Sequence, residues 1–326
     1  MAEKLTICLV GPRGGGKSSM LAAATDCIVQ SAHGYSPDLR PTMQSITRAA
    51  FHGFDSVSAK LDIFDGLVDD YQKLRRAFAE GGAPTDARGR EYFFRLTLHG
   101  DAPREIREKA PCLLRIIDAA GGVAIPDETA PADALTEIRD DFATKLLSAD
   151  AIVFVLPLVR FEDSGWVGDM ARLFERLALA PDQKLRRVIV AFSHYERLFV
   201  RLGPSAFTYA CDPAVALHVL RRSLRSAPWI DSLRALETGA KVDIRFTVTS
   251  AYGFVKTFQN PNIDPHREGE RRFRREGVAG SRALNEFWRP FLAVDPILYA
   301  ALALESAFMF SYAQIDGSAQ KPAALR

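Results

Sequence analysis

The stretch from Leu5 to Ser19 limits the fold of this chain more than any other segment does. It begins with an apolar run that is typical of a buried strand, and it leads into an alanine-rich segment that is typical of a helix. The residues between them match the spacing G-x-x-x-x-G-K-[ST], with Gly11 first and Lys17-Ser18 last. An ordinary glycine turn between a strand and a helix needs no such Lys-Ser pair. The sequence therefore predicts a phosphate-binding loop.

Each residue type in this loop has a chemical role. Successive glycines let the backbone curve around an anion with its N–H groups pointing inward, and the helix N-terminus adds unpaired donors. We expect the Lys17 ammonium to reach the β- and γ-phosphates and the Ser18 hydroxyl to ligate Mg²⁺. The residues predicted to bind a nucleoside phosphate are Gly11, Gly14, Gly15, Gly16, Lys17, Ser18 and Ser19.

The composition is that of an ordinary globular protein. Of the 326 residues, 48% are hydrophobic and 25% are charged, which is enough apolar material for a large core. The formal net charge of +2 gives no strong signal for nucleic acid as a partner. The four cysteines are scattered without a C-x-x-C pair, so we expect reduced core residues. Because neither a signal peptide nor a clear transmembrane segment stands out, we expect a cytoplasmic protein.

Apolar runs alternate with helix-like segments along most of the chain. This alternation predicts an α/β fold with a doubly wound, mostly parallel sheet of about six strands. The run at residues 92–98 should pair antiparallel with the run at 112–117, because the connection between them is too short for a crossover helix. The other strands are expected at residues 5–10, 151–156, 187–192 and 242–248.

Helical additions to this sheet are expected at two places. Apolar residues recur at helical spacing from about residue 58 to residue 80, which predicts a helix within an insert at about 31–90. We expect a P-loop domain over residues 1–256 and a helical extension over 257–326. Within the extension, residues 296–313 are predicted to form a packed helix, and the end from Gly317 is predicted to be disordered.

A second motif follows the strand predicted at residues 112–117. Asp118-Ala119-Ala120-Gly121 places a carboxylate at the carboxyl edge of the sheet, beside the expected P-loop. We expect Asp118 to hold Mg²⁺ through water and the backbone N–H of Gly121 to approach the γ-phosphate. An Asp turn at a strand end is common, so this prediction depends on the P-loop upstream.

The order of these motifs resembles that of the translation-factor-related (TRAFAC) P-loop GTPases over about residues 4–252. Two more strand ends carry the resemblance, namely Ser193-His194-Tyr195-Glu196 and Ser250-Ala251-Tyr252. In that family the first is [NT]-K-x-D, whose carboxylate accepts hydrogen bonds from guanine N1 and N2, and the second is S-A-[KL]. The resemblance implies that Glu196 reads the guanine edge, that His194 covers its face, and that the backbone at Ser250 and Ala251 meets guanine O6.

The segment from Trp288 to Tyr299 sharpens the match. It looks like the C-terminal segment of the bacterial double-GTPase proteins, which are also similar in the long insert before the second strand. Those proteins occur in multi-component bacterial systems thought to act in conflict with phages or other invaders. The resemblance implies the same context for this chain.

The family's first switch carries a threonine that closes over the γ-phosphate just ahead of the second strand. Two Pro-Thr pairs compete for this role here, at Thr42 and Thr85. Thr85 lies only a few residues before the strand predicted at 92–98, so we choose Thr85 as the switch residue and as a further Mg²⁺ ligand.

The residues that would support hydrolysis are incomplete. In Ras-like members a Gln after Asp-x-x-Gly orients the attacking water, whereas here Gly122 follows Gly121. We therefore expect slow turnover, or a partner that supplies the missing group, since a supplied arginine is worth about 10³–10⁵ in rate. Arg13, inside the loop, has three open placements: on the γ-phosphate, in solvent, or in the way of a partner's arginine.

We predict a Mg²⁺-dependent protein that binds GTP and GDP and switches between two states, with protein partners that act as activator or effector. Two alternatives stay open: an assembly subunit with little turnover, and an ATPase of the same fold. The sequence also leaves the oligomeric state open.

Overall fold

The computed structural model describes residues 4–12, 14–32, 58–63, 73–74, 90–99, 112–119, 144–158, 167–179, 184–225, 227, 229–255, 259–263 and 288–317. The strands within these residues are β1 Lys4–Val10, β2 Ser58–Ile63, β3 Arg90–His99, β4 Cys112–Asp118, β5 Ala151–Pro157, β6 Arg187–Ser193, β7 Asp243–Val248, β8 Ser250–Val255, β9 Trp288–Phe291 and β10 Phe310–Ser311. The helices are α1 Lys17–Ala32, α2 Val167–Leu179, α3 Ala206–Ala210, α4 Pro213–Leu224, α5 Ile230–Ala240, α6 Asp295–Leu302 and α7 Tyr312–Asp316. A 3₁₀ segment, Tyr195–Ser205, follows β6 directly.

Eight strands form one sheet in the order β10-β7-β6-β5-β1-β4-β3-β2. Five of them, β1, β4, β5, β6 and β7, run parallel to one another. Strand β3 is antiparallel to its neighbours β4 and β2, and β10 is antiparallel to β7. The predicted α/β architecture and the antiparallel pair β3–β4 are therefore confirmed.

The main sheet contains two strands that the sequence did not indicate, β2 and β10. Ser58–Ile63, at the start of the helix expected from about residue 58 to residue 80, form strand β2 instead, which pairs with β3. Short apolar segments fit both periodicities, and pairing with the edge of β3 decides the conformation here. Strand β10 has two residues, too few to leave a pattern in the sequence. Most of the predicted insert lies outside the described residues.

Side chains of the central strands alternate between two cores, one on each face of the sheet. In β1, Cys8 and Val10 point to the core that α2, α4 and α5 cover. Ile7 and Leu9 point to the opposite core, under α1 and α6. Strand β5 is buried along its whole length, as expected for a parallel strand covered on both faces.

Residues near the C-terminal end of the described chain complete this arrangement. Helix α6 packs on β1, β5 and β6, and the Arg187 guanidinium donates to the Ala300 carbonyl at 2.9 Å. The packed helix predicted over residues 296–313 is confirmed only for α6, because Ala303 adopts a left-handed conformation and ends it. The domain boundary at residue 256 stays a prediction, and residues beyond 317 lie outside the described part.

In the described part of the chain, no helix has the length and apolar character that a membrane crossing requires. Of the cysteines described, Cys8 and Cys112 are buried and Cys211 is half-buried. None of these three forms a disulfide.

Candidate functional site

The site lies at the carboxyl edge of the main sheet, where strand β1 ends. Strand β1 lies between β4 and β5. Strands β2 to β4, which follow β1 in the chain, lie on one side of it, and β5 to β7 lie on the other side, so the strand order reverses at β1. Such a reversal of strand order opens a crevice at the carboxyl ends of parallel strands, which is where α/β proteins bind ligands. The loop from Gly11 to Gly16 and the start of α1 occupy this position.

The backbone geometry of the loop requires glycine at two positions. A Cβ atom on Gly11 would lie 2.2 Å from the Val155 carbonyl oxygen of β5, so no side chain fits there. Gly16 has a φ of +89°, which L-residues with a side chain rarely adopt, and its carbonyl accepts the first helical hydrogen bond shown for α1, from Met20 N at 2.7 Å. These requirements of the backbone explain why the motif could be recognised from sequence.

Lys17 is held inside the curve of the loop. Its ammonium donates to the carbonyls of Gly11 at 2.8 Å and Pro12 at 3.0 Å, and the residue is only 5% exposed. Burial lowers the pKa of Lys17 to about 8, against the opposing effect of the Asp118 charge. An anion in the loop would meet a positive charge that the protein has already desolvated.

Ser18 and Asp118 meet across the first turn of α1 and the end of β4. The Ser18 hydroxyl donates to Asp118 Oδ2 at 2.5 Å. The other carboxylate oxygen, Oδ1, is buried and has no hydrogen-bond partner among the described residues. Burial raises the pKa of Asp118, while the charge of Lys17, the hydrogen bond from Ser18 and the charge of Arg90 act in the opposite direction.

This pair suits a magnesium ion. Mg²⁺ in nucleotide sites takes one or two protein oxygens, keeps several waters and shares phosphate oxygens of the substrate. A hydroxyl and a carboxylate with an unsatisfied buried oxygen supply that donor set. Within the described residues no group of three or more His, Cys, Asp or Glu side chains forms any other metal site.

Arg90 was missed in the sequence analysis. Strand pairing sets Arg90 directly opposite Asp118, so both side chains project from the same face at the strand end. Its charge favours the ionised form of Asp118. The antiparallel pair was predicted from sequence, and assigning its register would have identified this arginine.

The end of β6 is hydrogen-bonded to the phosphate-binding loop. The Ser193 hydroxyl lies 2.6 Å from the Gly15 carbonyl oxygen and 3.3 Å from that of Leu156. His194 follows in a left-handed conformation with φ of 62°, and a Cβ placed on Gly16 would lie 3.8 Å from His194 Nε2. The first predicted base-binding element therefore starts in direct contact with the loop.

The turn after β6 is supported by packing between aromatic rings. Tyr195 is fully buried and stacks on Phe291 of β9 with ring centroids 5.8 Å apart. Phe291 in turn meets Phe254 of β8 and Phe308 edge-on. Glu196, the predicted reader of the guanine edge, is 1% exposed within the same turn.

The remaining predicted element lies at the start of β8. The backbone N–H of Tyr195 donates to the Thr249 carbonyl at 3.3 Å, which joins the two base-binding elements. The Ser250 hydroxyl accepts from Gly253 N at 2.7 Å, and the Tyr252 hydroxyl lies 3.1 Å from the Ser19 hydroxyl of α1. The Ser193, Tyr195 and Tyr252 hydrogen bonds thus connect the loop, the β6 end and the β8 start.

Several predicted site residues lie outside the described part of the chain. They are Arg13, Thr42, Thr85, Gly121 and Gly122. Their assigned roles, and the choice between the two threonines, stay predictions.

No family model matches the sequence, and no curated protein matches it. Among solved structures, it is similar to the GTPase-like domain of S. cerevisiae Ski7 bound to GDP and inorganic phosphate, with a TM-score of 0.38 and 12% identity over 77% of this chain and 43% of that one. It is also similar to the bacterial selenocysteine-specific elongation factor EF-Sec, with a TM-score of 0.30 and 12% identity over 77% of this chain and 26% of the other. It is similar as well to Sup35 complexed with GMPPNP, with a TM-score of 0.32 and 11% identity over 77% of this chain and 38% of the other.

This chain spans less than half of the length of each of these structures. Likeness at such TM-scores carries no functional argument.

Proposed function

We propose that this protein binds a guanine nucleoside triphosphate together with Mg²⁺ and acts as a nucleotide-dependent switch. The observation that carries the proposal is the pairing of Ser18 with Asp118 at the mouth of a glycine loop that also encloses Lys17. Ligands of this kind neutralise the β- and γ-phosphates, and Mg²⁺ would supply the remaining positive charge. Ser18 and Asp118, joined by Thr85 in the triphosphate state, would hold the ion.

The phosphate end would work through groups already in position. Lys17 would exchange its two loop carbonyls for phosphate oxygens, so the ammonium need not cross from water into the site. The N–H groups of Gly14, Gly15 and Gly16 would donate to the same anion. Gly121, next to the end of β4, would sense the γ-phosphate through its backbone.

Guanine recognition is proposed for the turn after β6. Glu196 would accept hydrogen bonds from guanine N1–H and the N2 amine, His194 would cover the face of the base, and the backbone at Ser250 and Ala251 would meet O6. Support comes from the position of this turn, which touches the glycine loop at Ser193 and the β8 start through Tyr195. The carboxylate of glutamate is chemically equivalent to that of aspartate, although its stem is one methylene longer.

Turnover is proposed to be slow in the isolated chain. Gly122 cannot orient water through a side chain, so an activating partner, or Arg13, would have to supply the missing group. An assembly subunit with little turnover is the second candidate, and the same Gly122 favours it. Adding lysate or a neighbouring gene product to a hydrolysis assay separates the two, because only the switch gains turnover.

Calorimetry with GTP, GDP, ATP and XTP in the presence of Mg²⁺ tests the nucleotide assignment. Wild type should prefer guanine nucleotides, and Glu196→Ala should lose that preference. Glu196→Gln should gain XTP binding, because an amide N–H can donate to the xanthine O2 that replaces the guanine amine. Equal or tighter ATP binding by wild type would replace this proposal with an ATPase of the same fold.

We extend the proposal to the bacterial multi-component, anti-phage setting that residues 288–299 imply by resemblance, with a cytoplasmic location and protein partners. The test is a plaque assay on cells that carry the gene with its neighbours. Protection that disappears with Lys17→Ala would support this setting, and equal plaque counts with and without the genes would refute it.

A further inference from the structure

A groove lies between the 3₁₀ segment Tyr195–Ser205, which follows the proposed base-binding turn, and helix α4. Its volume is about 530 Å³. The apolar side chains that line it include Leu198, Leu202, Tyr209, Val215 and Val219. We call it the 3₁₀–α4 groove. None of the residues to which we assign phosphate, metal or base contacts lines it, so it is separate from the nucleotide site.

Apolar exposure is concentrated in this groove. Leu198 is 45% exposed, Leu202 is 43% exposed and Tyr209 is 53% exposed. The other large apolar side chain with comparable exposure in the described chain, Leu147 at 43%, lies outside the groove. Grouped apolar exposure with a polar rim is typical of a protein-binding surface, whereas single exposed leucines are ordinary.

The rim of the groove is positively charged. Arg197 and Arg201 line it, and Arg222 continues the stripe that Val215 and Val219 form at helical spacing along α4. The guanidinium Nε of Arg197 is buried and has no hydrogen-bond acceptor among the described residues.

Among the described residues that line the groove, none is acidic. From residue 195 to residue 225 the chain carries five arginines and two carboxylates. One carboxylate, Glu196, is buried, and the other, Asp212, accepts from Ala214 N at the start of α4. Of the five arginines, Arg197 and Arg201 line the groove, whereas Arg221 donates to the Gln314 carbonyl of α7.

We propose that the 3₁₀–α4 groove binds an acidic amphipathic segment of a partner protein. The partner's apolar side chains would fill the space between Leu198, Leu202 and Val219, and its carboxylates would pair with Arg197 and Arg201. Tyr209 is the one exposed aromatic side chain among the residues that line the groove, and the others are mostly leucine and valine. A nucleic-acid groove instead stacks successive bases on several aromatic side chains along a basic track. The inference holds whether or not the chain binds a guanine nucleotide.

Selection from a library of short random peptides displayed on bacteria tests the proposal. Cells that bind the full-length wild-type chain are kept, and cells that also bind Leu202→Glu are discarded. Enriched peptides should carry apolar residues spaced three and four apart, flanked by Asp and Glu. One such peptide, made synthetically, should bind wild type and lose at least about tenfold in affinity with Leu202→Glu or Arg201→Glu.

Matched variants and probes give the controls. Leu147→Glu alters an equally exposed leucine outside the groove, and Arg172→Glu alters an exposed arginine on α2, so both should bind the peptide as wild type does. The same peptide with lysine in place of each acidic residue should bind wild type weakly and Arg201→Glu better. Rescue by charge exchange would not follow from a folding defect.

Three results would overturn the proposal. They are the absence of enriched peptides, enrichment of basic peptides, and peptide affinity that the groove variants leave unchanged. Light scattering adds one further outcome. A wild-type dimer that becomes a monomer with Leu202→Glu would assign the groove to a second copy of this chain and would refute the proposed partner.

Discussion

The phosphate end and the base end of the site are held in place by different forces. At the phosphate end, the contacts are made mainly by backbone atoms. Gly11 packs against a β5 carbonyl, and two loop carbonyls accept hydrogen bonds from Lys17. At the base end, the turn after β6 rests on aromatic rings, with Tyr195 stacked on Phe291.

The two motifs differ as well: G-x-x-x-x-G-K-S is complete, whereas Ser193-His194-Tyr195-Glu196 departs from the [NT]-K-x-D pattern of the GTPases that the sequence resembles. A backbone that approaches another carbonyl as closely as Gly11 does accepts glycine and little else, so this position of G-x-x-x-x-G-K-S is tightly restricted. The turn after β6 is supported by side-chain packing instead, and a residue with a side chain, His194, occupies its left-handed position. Measurements with GTP and with inorganic pyrophosphate separate the two ends, because pyrophosphate has no base.

The largest effect is expected for Lys17→Ala. Loss of the buried ammonium should weaken GTP and pyrophosphate binding alike, by on the order of 100-fold, because both ligands lose a charge-assisted contact. Calorimetry with each ligand measures the loss, and Lys184→Ala, an exposed lysine before β6, is the control. Retained pyrophosphate binding would contradict the role of Lys17.

The next effect is expected for Asp118→Asn, an isosteric change at the Ser18 hydrogen bond. The amide is a poorer magnesium ligand, so GTP affinity with Mg²⁺ should fall by on the order of 30-fold and approach the value measured with EDTA. The exposed α5 variant Asp231→Asn should keep the full magnesium dependence. An unchanged response to EDTA in Asp118→Asn would refute the proposed ion site.

A smaller effect that reaches only the base end is expected for Phe291→Leu. The variant keeps an apolar side chain but loses the ring contacts with Tyr195 and Phe254, at a cost of about 1–2 kcal/mol of stability. GTP affinity should fall by about tenfold while pyrophosphate affinity stays the same. Equal losses for both ligands would show that the two ends are not separable.

The smallest effect is expected for Ser193→Ala, and it should reach both ends. Removing the hydroxyl leaves the Gly15 carbonyl without its side-chain donor, which costs about 1 kcal/mol, or about fivefold in affinity for GTP and for pyrophosphate. Ser148→Ala, at an exposed hydroxyl that bonds within its own helical turn, should change neither. A loss confined to GTP would place Ser193 with the base end alone.

The sequence predicted the elements whose pattern is set locally. Strand β5 is an unbroken apolar run in the sequence, and the loop before α1 is recognised by the spacing of its glycines. Strand β2 was missed because its conformation depends on pairing with β3, a contact between residues far apart in sequence. The Ser193–Gly15 and Ser19–Tyr252 hydrogen bonds join residues even farther apart, so spacing along the chain could not reveal them.

The packing of α6 has a consequence for how the protein is made. Strand β1 is translated well before Asp295–Leu302, the helix that packs on it. Until α6 is made, α1 packs on this face without it, and the part of β1, β5 and β6 that α6 contacts is open to non-native association. A nascent chain of this kind benefits from a chaperone that shields the uncovered face, and stalling before residue 295 would favour aggregation over folding.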